Sequence, residues 1–193
     1  MGGSGVIKEK ALLARRPALA LLAELLDYPT SSLRSAAFLQ ETVAAFQGLP
    51  EAASVLAALT QLQQQSLPEL EEEYTRLFEL NKKLTLYCTY YKLEDSRKRG
   101  DTLAKLKVLY ESFGSALAQP ELADYLPAML EFLAYGDFLE APHQRELLFM
   151  LAVIEDGTYH MLKEAEESPY VELLRSTRQL VRACIDLQEV AVQ

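Results

Sequence analysis

The sequence predicts an all-α fold, a single-domain bundle of about eight helices joined by short loops. Three observations carry this. Apolar residues recur at three- and four-residue intervals along nearly the whole chain. Strand signals are nearly absent: only "KLTLYCTYY", Lys83 to Tyr91, mixes β-branched and aromatic residues in loose alternation. Helix punctuation, with serine at starts and glycine at ends, recurs throughout. The 193 residues are enough for one domain with a substantial core. No repeat and no Pro/Gly/Ser-rich linker divides them. Residues 1–5, "MGGSG", read as a disordered leader or cloning scar, leaving 6–193 as one all-helical domain.

The elements follow in order. A first helix runs to about Leu26 and stops before Pro29; Pro17 either starts its main part or kinks it. A second begins after Ser31 or Ser32, both good N-caps, and ends at Gly48. A third starts with Pro50 as its first residue and turns Val55, Leu56, Leu59 and Leu62 to one side. A fourth has Ser66 and Glu69 at capping-box spacing, with Leu70, Tyr74, Leu77 and Phe78 as its apolar face. After an irregular segment, 81–93, the next helix carries Leu103, Leu106, Leu109, Tyr110 and Phe113 and stops at Gly114. Gly100, in its early turns, suits a close approach by another backbone. The stretch from Glu121 to Leu139 supplies a helix with Asp124 as cap and Pro127 in its first turn. Pro142 opens a long helix to about Glu166, which Gly157 weakens or bends. Ser168-Pro169 caps the last, which carries Val171, Leu174, Leu180, Val181, Ile185 and the tail.

Several function classes recede. A formal net charge of −9 disfavours nucleic acid, which needs a basic face. It suits a cationic partner, or simply solubility. Cys88 and Cys184 have no CxxC spacing, so neither a disulfide framework nor a zinc site is suggested, and free thiols in a reducing compartment are expected. "ARRPALALLAELL", Ala14 to Leu26, imitates a twin-arginine export signal. Glu24 interrupts its apolar run, Asp27 follows directly, and the run is too short to cross a bilayer, so it reads as an amphipathic core helix. No direct membrane insertion is expected.

Catalytic patterns are missing as well. His143 and His160 belong to no HExxH pattern, and neither a glycine-rich phosphate loop nor a GxSxG elbow occurs. His160 has Glu164 four positions on, a spacing that serves a shared metal or, more ordinarily, a surface hydrogen bond. The glutamate runs at 69–74 and 164–167 lack the Glu-x-x-His partner of di-iron helices and read as solvated faces. The expectation is a non-enzyme with no catalytic residues, no metal ligands and no stably bound cofactor.

Two stretches remain unusual. In "TYYKLEDSRKRGD", Thr89 to Asp101, Glu94 and Asp95 suit a helix start. Asp95 or Ser96 can cap it. Arg97, Lys98 and Arg99 then fall where the helix dipole disfavours cations, so local stability alone would not choose this order. Arg97 and Asp101 can pair four apart. The stretch is either a solvated turn or a place where arginines are held toward a groove by acids elsewhere. "ELADYLPAMLEFL", Glu121 to Leu133, brings Glu121, Asp124 and Tyr125 to a helix start. It is either ordinary capping plus core or one wall of a groove. Tyrosines and leucines rimmed by carboxylates would suit an amphipathic peptide bearing Lys or Arg.

Taken together, these stretches resemble the nitrate reductase assembly chaperones, the NarJ or delta-subunit family. "ELADYLPAMLEFLA" resembles that family's Glu-Leu-x-Asp-His-Leu-Pro signature, with Tyr125 where the family usually has His. "EDSRKRGDTLAKLKVLYESFG" resembles its Glu-x-Ser-Arg-x-Arg-Gly stretch. "LLDYP" and "YTRLFEL" match in the same order, so the resemblance spans roughly Leu21 to Leu139. It implies an all-helical fold similar to other redox-enzyme maturation chaperones and a non-catalytic, cytoplasmic protein. The implied partner is the apo catalytic (alpha) subunit of respiratory nitrate reductase, including its N-terminal segment. That subunit would be held ready for molybdenum cofactor insertion before membrane docking, with molybdenum cofactor biosynthesis proteins as further partners. A chaperone for another molybdoenzyme of the dimethyl sulfoxide reductase superfamily is the alternative; a weak nucleotide hydrolase and a structural adaptor are more distant ones. The residues expected to form the partner-peptide site are Tyr87, Tyr90, Tyr91, Arg97, Arg99, Glu121, Asp124, Tyr125, Leu126 and Glu131. Arg97, Arg99 and Asp101 would tie their helix to Glu121, Asp124 or Glu131.

Overall fold

A computed structural model of the protein describes residues 6–81, 83–93, 96–114, 123–138 and 144–186. Among them are nine α-helices, one 3₁₀ turn, one π turn and a two-residue strand pair. The all-α expectation holds.

Helix α1 (Glu9–Leu25) packs on the helices Ala36–Ala45, Leu126–Tyr135 and Pro169–Ala183. It continues through Pro17, which lies exposed. Its Leu12, Leu19, Leu22 and Leu25 are buried against later elements. The double arginine that imitates an export signal has a structural use. Arg16 donates from Nε to the Leu133 carbonyl at 3.2 Å and from Nη2 to the Gly136 carbonyl, and its guanidinium lies 4.8 Å from the Phe138 ring centre. It thereby satisfies carbonyls at the C-terminal end of α7 (Leu126–Tyr135), the helix that packs most extensively on α1.

A 3₁₀ turn, Ser31–Arg34, precedes α2 (Ala36–Ala45). The expected caps, Ser31 and Ser32, are inside that turn. Ser35 caps α2 instead, its hydroxyl accepting from the Phe38 N–H at 3.0 Å. Helix α3 (Ala52–Gln63) starts two residues after Pro50, with Val55, Leu59 and Leu62 buried as expected. Helix α4 (Leu67–Tyr74) has the expected capping box: the Ser66 N–H donates to the Glu69 carboxylate at 2.7 Å. The Ser66 hydroxyl, which donates to the same carboxylate at 2.6 Å, and then this N–H hold the Glu69 carboxyl below its usual range. The chain runs straight on into the π turn Thr75–Glu79.

A short α5 (Tyr90–Leu93) leads to α6 (Arg97–Ser112). Gly114 directly follows the C-cap of α6 as expected, whereas α2 stops earlier than expected and Gly48 lies two residues beyond its C-cap; their φ of +70° and +78° would strain a side chain. Gly100 has open space where a Cβ would stand, so no backbone among the described residues approaches it closely. That role belongs to Gly157 in α8 (Gln144–Glu164), where a Cβ would lie 2.7 Å from the Cys88 Cα. The glycine lets the chain at Cys88 rest directly on α8. Helix α9 (Pro169–Ala183) starts as expected, Ser168 Oγ accepting from the Val171 N–H at 3.3 Å. It stops at Ala183, and Ile185 belongs to a strand. There β2 (Ile185–Asp186) pairs antiparallel with β1 (Val6–Ile7). Pro142 and Glu121 lie outside the described residues.

One contiguous core joins α1, α3, α7, α8 and α9. Cys88 and Cys184 are buried free thiols, and burial pushes both pKa values up.

Candidate functional site

Two chain segments meet at the start of α7. The Cys88 N–H donates to the Asp124 carbonyl and the Leu126 N–H to the Leu86 carbonyl, both at 2.9 Å, so Tyr87 and Tyr125 pair across a short antiparallel bridge. This arrangement overturns the capping role expected of Asp124. Tyr125 holds the N-cap position of α7, and Asp124 turns inward. Its side chain is wholly buried. There its carboxylate accepts from the N–H of Thr89 at 3.1 Å and from the Thr89 hydroxyl. Arg99 approaches from α6, with Nη2 3.4 Å from both carboxylate oxygens and Nε donating to Thr89 Oγ1 at 3.2 Å. A buried carboxylate is tolerable only with such company. Of the ties expected from Arg97, Arg99 and Asp101, the Arg99–Asp124 pair is therefore formed.

A second set of hydrogen bonds adjoins it. The Tyr125 hydroxyl donates to Asp27 Oδ1 at 2.9 Å and lies 2.8 Å from the Tyr74 hydroxyl. Tyr74 in turn reaches the Leu26 carbonyl at 3.2 Å. Burial pushes both phenol pKa values up, so both stay neutral. The Tyr87 ring lies 5.5 Å from that of Tyr125, with the Arg99 guanidinium 5.9 Å from the Tyr87 centre. Tyr28 meets Tyr74 edge-on at 5.5 Å.

Above this hub are two hollows that share the π turn. One, of about 360 Å³, is lined by Phe78, Glu79, Asn81, Thr85, Tyr87, Tyr90 and Arg99. The other, of about 420 Å³, is lined by Tyr28, Glu71, Glu72, Thr75, Arg76 and Leu80. Leu80 is 76% exposed and Tyr28 45% exposed, high values for large apolar side chains. Asp27 is exposed as well. Tyrosines, a phenylalanine and a leucine thus line a surface whose rim is mainly carboxylate.

The remaining expected residues divide. Tyr91 is a strut: its hydroxyl donates to the Thr85 carbonyl and accepts from the Thr85 N–H, each at 2.7 Å, and its ring stacks on His160. Leu126 is buried at the start of α7. Arg97 and Asp101 are exposed on α6, and among the described residues no ion pair joins them. Glu131 is exposed on α7; its charge, with that of Glu41, adds to burial in raising the Glu24 pKa. His160 is 3.9 Å from Asp156, not paired with Glu164, and Asp156 also takes Lys92. Among the described residues no cluster of three metal-ligating side chains occurs, and no helix is long and apolar enough to cross a membrane.

Asp27, Tyr74, Thr89 and Glu79 were not among the expected site residues. Asp27, Tyr74 and Glu79 fall within "LLDYP" and "YTRLFEL", so the signal was present as motif. Thr89 offered none beyond its place beside two tyrosines.

The architecture is that of an all-helical bundle in which a polar hub, buried at Asp124, underlies an open, aromatic, acid-rimmed surface. The chain belongs to the nitrate reductase delta subunit family, whose profile matches residues 36–178. It is 37% identical over 105 residues to the probable nitrate reductase molybdenum cofactor assembly chaperone NarJ of Bacillus subtilis, covering 54% of this chain and 55% of that one. It is 28% identical over 177 residues to the nitrate reductase molybdenum cofactor assembly chaperone NarJ of Escherichia coli, covering 90% and 73%. It is also 32% identical over 113 residues to the nitrate reductase-like protein NarX of Mycobacterium tuberculosis, covering 58% of this chain and 17% of that one. The match thus spans about half the length of the Bacillus relative. Tyr74, Thr89, Arg99, Asp124 and Tyr125 lie inside the family match, and Asp27 lies outside it.

Proposed function

We propose that this chain is a cytoplasmic, non-catalytic assembly chaperone for a respiratory nitrate reductase. It binds the apo catalytic subunit and holds it open for molybdenum cofactor insertion before membrane docking, without keeping the cofactor itself. Residues 6–193 act as one domain, and molybdenum cofactor biosynthesis proteins are further partners. The names of the relatives support the chaperone role. The observation that carries the site is convergence: the four stretches "LLDYP", "YTRLFEL", "SRKRGD" and "ADYLP" meet in one hub beneath the acid-rimmed surface.

The occupant of that surface is the subunit's N-terminal segment, an amphipathic helix bearing Lys or Arg. Its apolar face rests on Tyr28, Leu80, Tyr87 and Tyr90; its cations meet Asp27, Glu71, Glu72 and Glu79. Asp124 is enclosed and touches no occupant. Together with Arg99 and Thr89 it positions Tyr87 and Tyr125. Charge reversal is therefore informative at Glu79 and Glu72, whereas at Asp124 it would disrupt the hub itself.

Calorimetric titration with a peptide of the first residues of the nitrate reductase catalytic subunit from the same organism tests this. Binding of about −8 to −12 kcal/mol is expected, with a negative heat-capacity change and weakening by salt. Glu79→Lys together with Glu72→Lys should weaken it about tenfold with an unchanged circular dichroism spectrum. No heat at any temperature, or affinity indifferent to both salt and the two reversals, would overturn the assignment.

A further inference from the structure

A second hollow region faces a different way chemically. Ala104, Lys105, Val108 and Leu109 of α6, with Arg145, Glu146 and Phe149 of α8, line an apolar groove of about 410 Å³. Val108 is 63% exposed, high for a β-branched aliphatic side chain on a helix. Phe149 is half-buried, with Lys105 Nζ 6.0 Å from its ring centre. The floor has room for side chains from successive turns of a helix.

The charged side chains that line this groove, Lys105 and Arg145 against Glu146, are cationic on balance, opposite in sign to the chain as a whole. The exposed face of α6 carries Arg97, Lys98, Lys105 and Lys107 against Asp101 and Glu111. Glu111 is engaged by Lys107 at 3.7 Å. Arg145 adds a cation on the α8 side, beside Glu146. Among the described residues neither Lys105 nor Arg145 forms an ion pair. On a chain of net charge −9 this is a local cationic rim around an apolar floor. A basic amphipathic helix, the occupant proposed for the acid-rimmed surface, would meet like charge here. A nucleic acid would leave the apolar floor unused.

We propose that the α6–α8 groove docks an amphipathic helical segment of a partner protein that carries carboxylates beside its apolar face. Apolar anchors at helical spacing fill the floor over Val108 and Phe149. Flanking Asp or Glu side chains pair with Lys105 and Arg145. This second site does not depend on the identity of the segment bound at the acid-rimmed surface. It gives the protein two docking surfaces of opposite charge preference, so the two cannot exchange occupants.

The test uses the full chain and two synthetic helical peptides of about 16 residues, long enough for more than four turns. Both carry leucines at i, i+3, i+4 and i+7; one has glutamates and the other lysines on the flanking positions. Fluorescence anisotropy is expected to show the glutamate peptide binding at least about tenfold tighter than the lysine peptide in the presence of Leu80→Asp, which removes an anchor of the other surface. Val108→Asp, and separately Lys105→Glu with Arg145→Glu, should each weaken that binding about tenfold. All three side chains are exposed or line open space, so an unchanged melting temperature is expected. The proposal is overturned if the lysine peptide binds as well, or if neither substitution changes affinity. It is also overturned if Val108→Asp lowers the melting temperature by several degrees, which would mean that the chain covers the groove itself. Dissociation of a dimer by Val108→Asp in analytical ultracentrifugation would assign the groove to a second copy and overturn it too.

Discussion

Asp124 and the leucines of the interface of α1, α3 and α9 are equally buried, but their surroundings are built from different materials. In the interface, Leu19, Leu22, Leu59, Leu62, Leu173 and Leu174 are buried in one apolar cluster, and the buried hydroxyl of Thr177 stays within its own helix, donating to the Leu173 carbonyl at 2.8 Å. Such packing fixes volume and tolerates swaps that conserve it. In the hub each polar group has an assigned partner: Thr89 and Arg99 on Asp124, Tyr125 on Asp27, Tyr74 on the Leu26 carbonyl. Directional bonds fix orientation, and losing one leaves its partner unsatisfied. The first region holds the chain together. The second sets where Tyr87 and Tyr125 point. Tyr170 joins them, its ring 5.8 Å from Tyr74 and 5.6 Å from Phe78.

The two regions separate most clearly when the leucine interface is disturbed. Leu59→Ala opens a cavity and should cost about 3 kcal/mol, read by urea unfolding, while peptide affinity of the folded fraction stays the same. Asp124→Asn should cost about 2 kcal/mol by leaving Thr89 and Arg99 poorly paired. Unlike Leu59→Ala it should also weaken peptide binding, measured on folded protein by calorimetry. Equal loss of affinity in both variants would erase the distinction between the regions.

Gly157→Ala pushes a methyl group against the Cys88 backbone and should cost about 1–2 kcal/mol, with the amide resonances of residues 86–89 shifting most in a heteronuclear spectrum. Tyr125→Phe is the smallest change. It removes the bond to Asp27 for about 1 kcal/mol and flattens the alkaline limb of the stability curve. The sign follows from the raised phenol pKa. The unfolded chain gives up that proton from about pH 10, while the folded phenol keeps it, so stability is full below that pH and falls above it. Stability that rises with alkali, or a wild-type slope retained in Tyr125→Phe, would refute this.

Local chemistry was legible in the sequence, and long-range chemistry was not. The Ser66–Glu69 box, the left-handed glycines 48 and 114 and the Ser168-Pro169 start are set by residues within one turn. Asp124 reads as a cap because a local rule sees only the helix after it; its true partner, Thr89, lies 35 positions upstream. Arg16 imitates an export signal because its carbonyl partners are more than 100 positions away. The β1–β2 pair spans two residues a side, too short for any alternation to register. At the site, the Arg99–Asp124 tie was readable from the motifs that contain them. The exposure of Leu80 was not, because it arises where α4 widens into a π turn.

In the proposed function, the surface beside this π turn receives the N-terminal segment of the catalytic subunit. A photo-crosslinking amino acid placed at Leu80, which is 76% exposed, tests it most directly when the apo catalytic subunit is added. The expected result is a crosslinked product whose peptide map falls within the N-terminal segment and which vanishes when that segment is deleted. A crosslink that persists after the deletion, or none at Leu80 while the two proteins still co-purify, would contradict it.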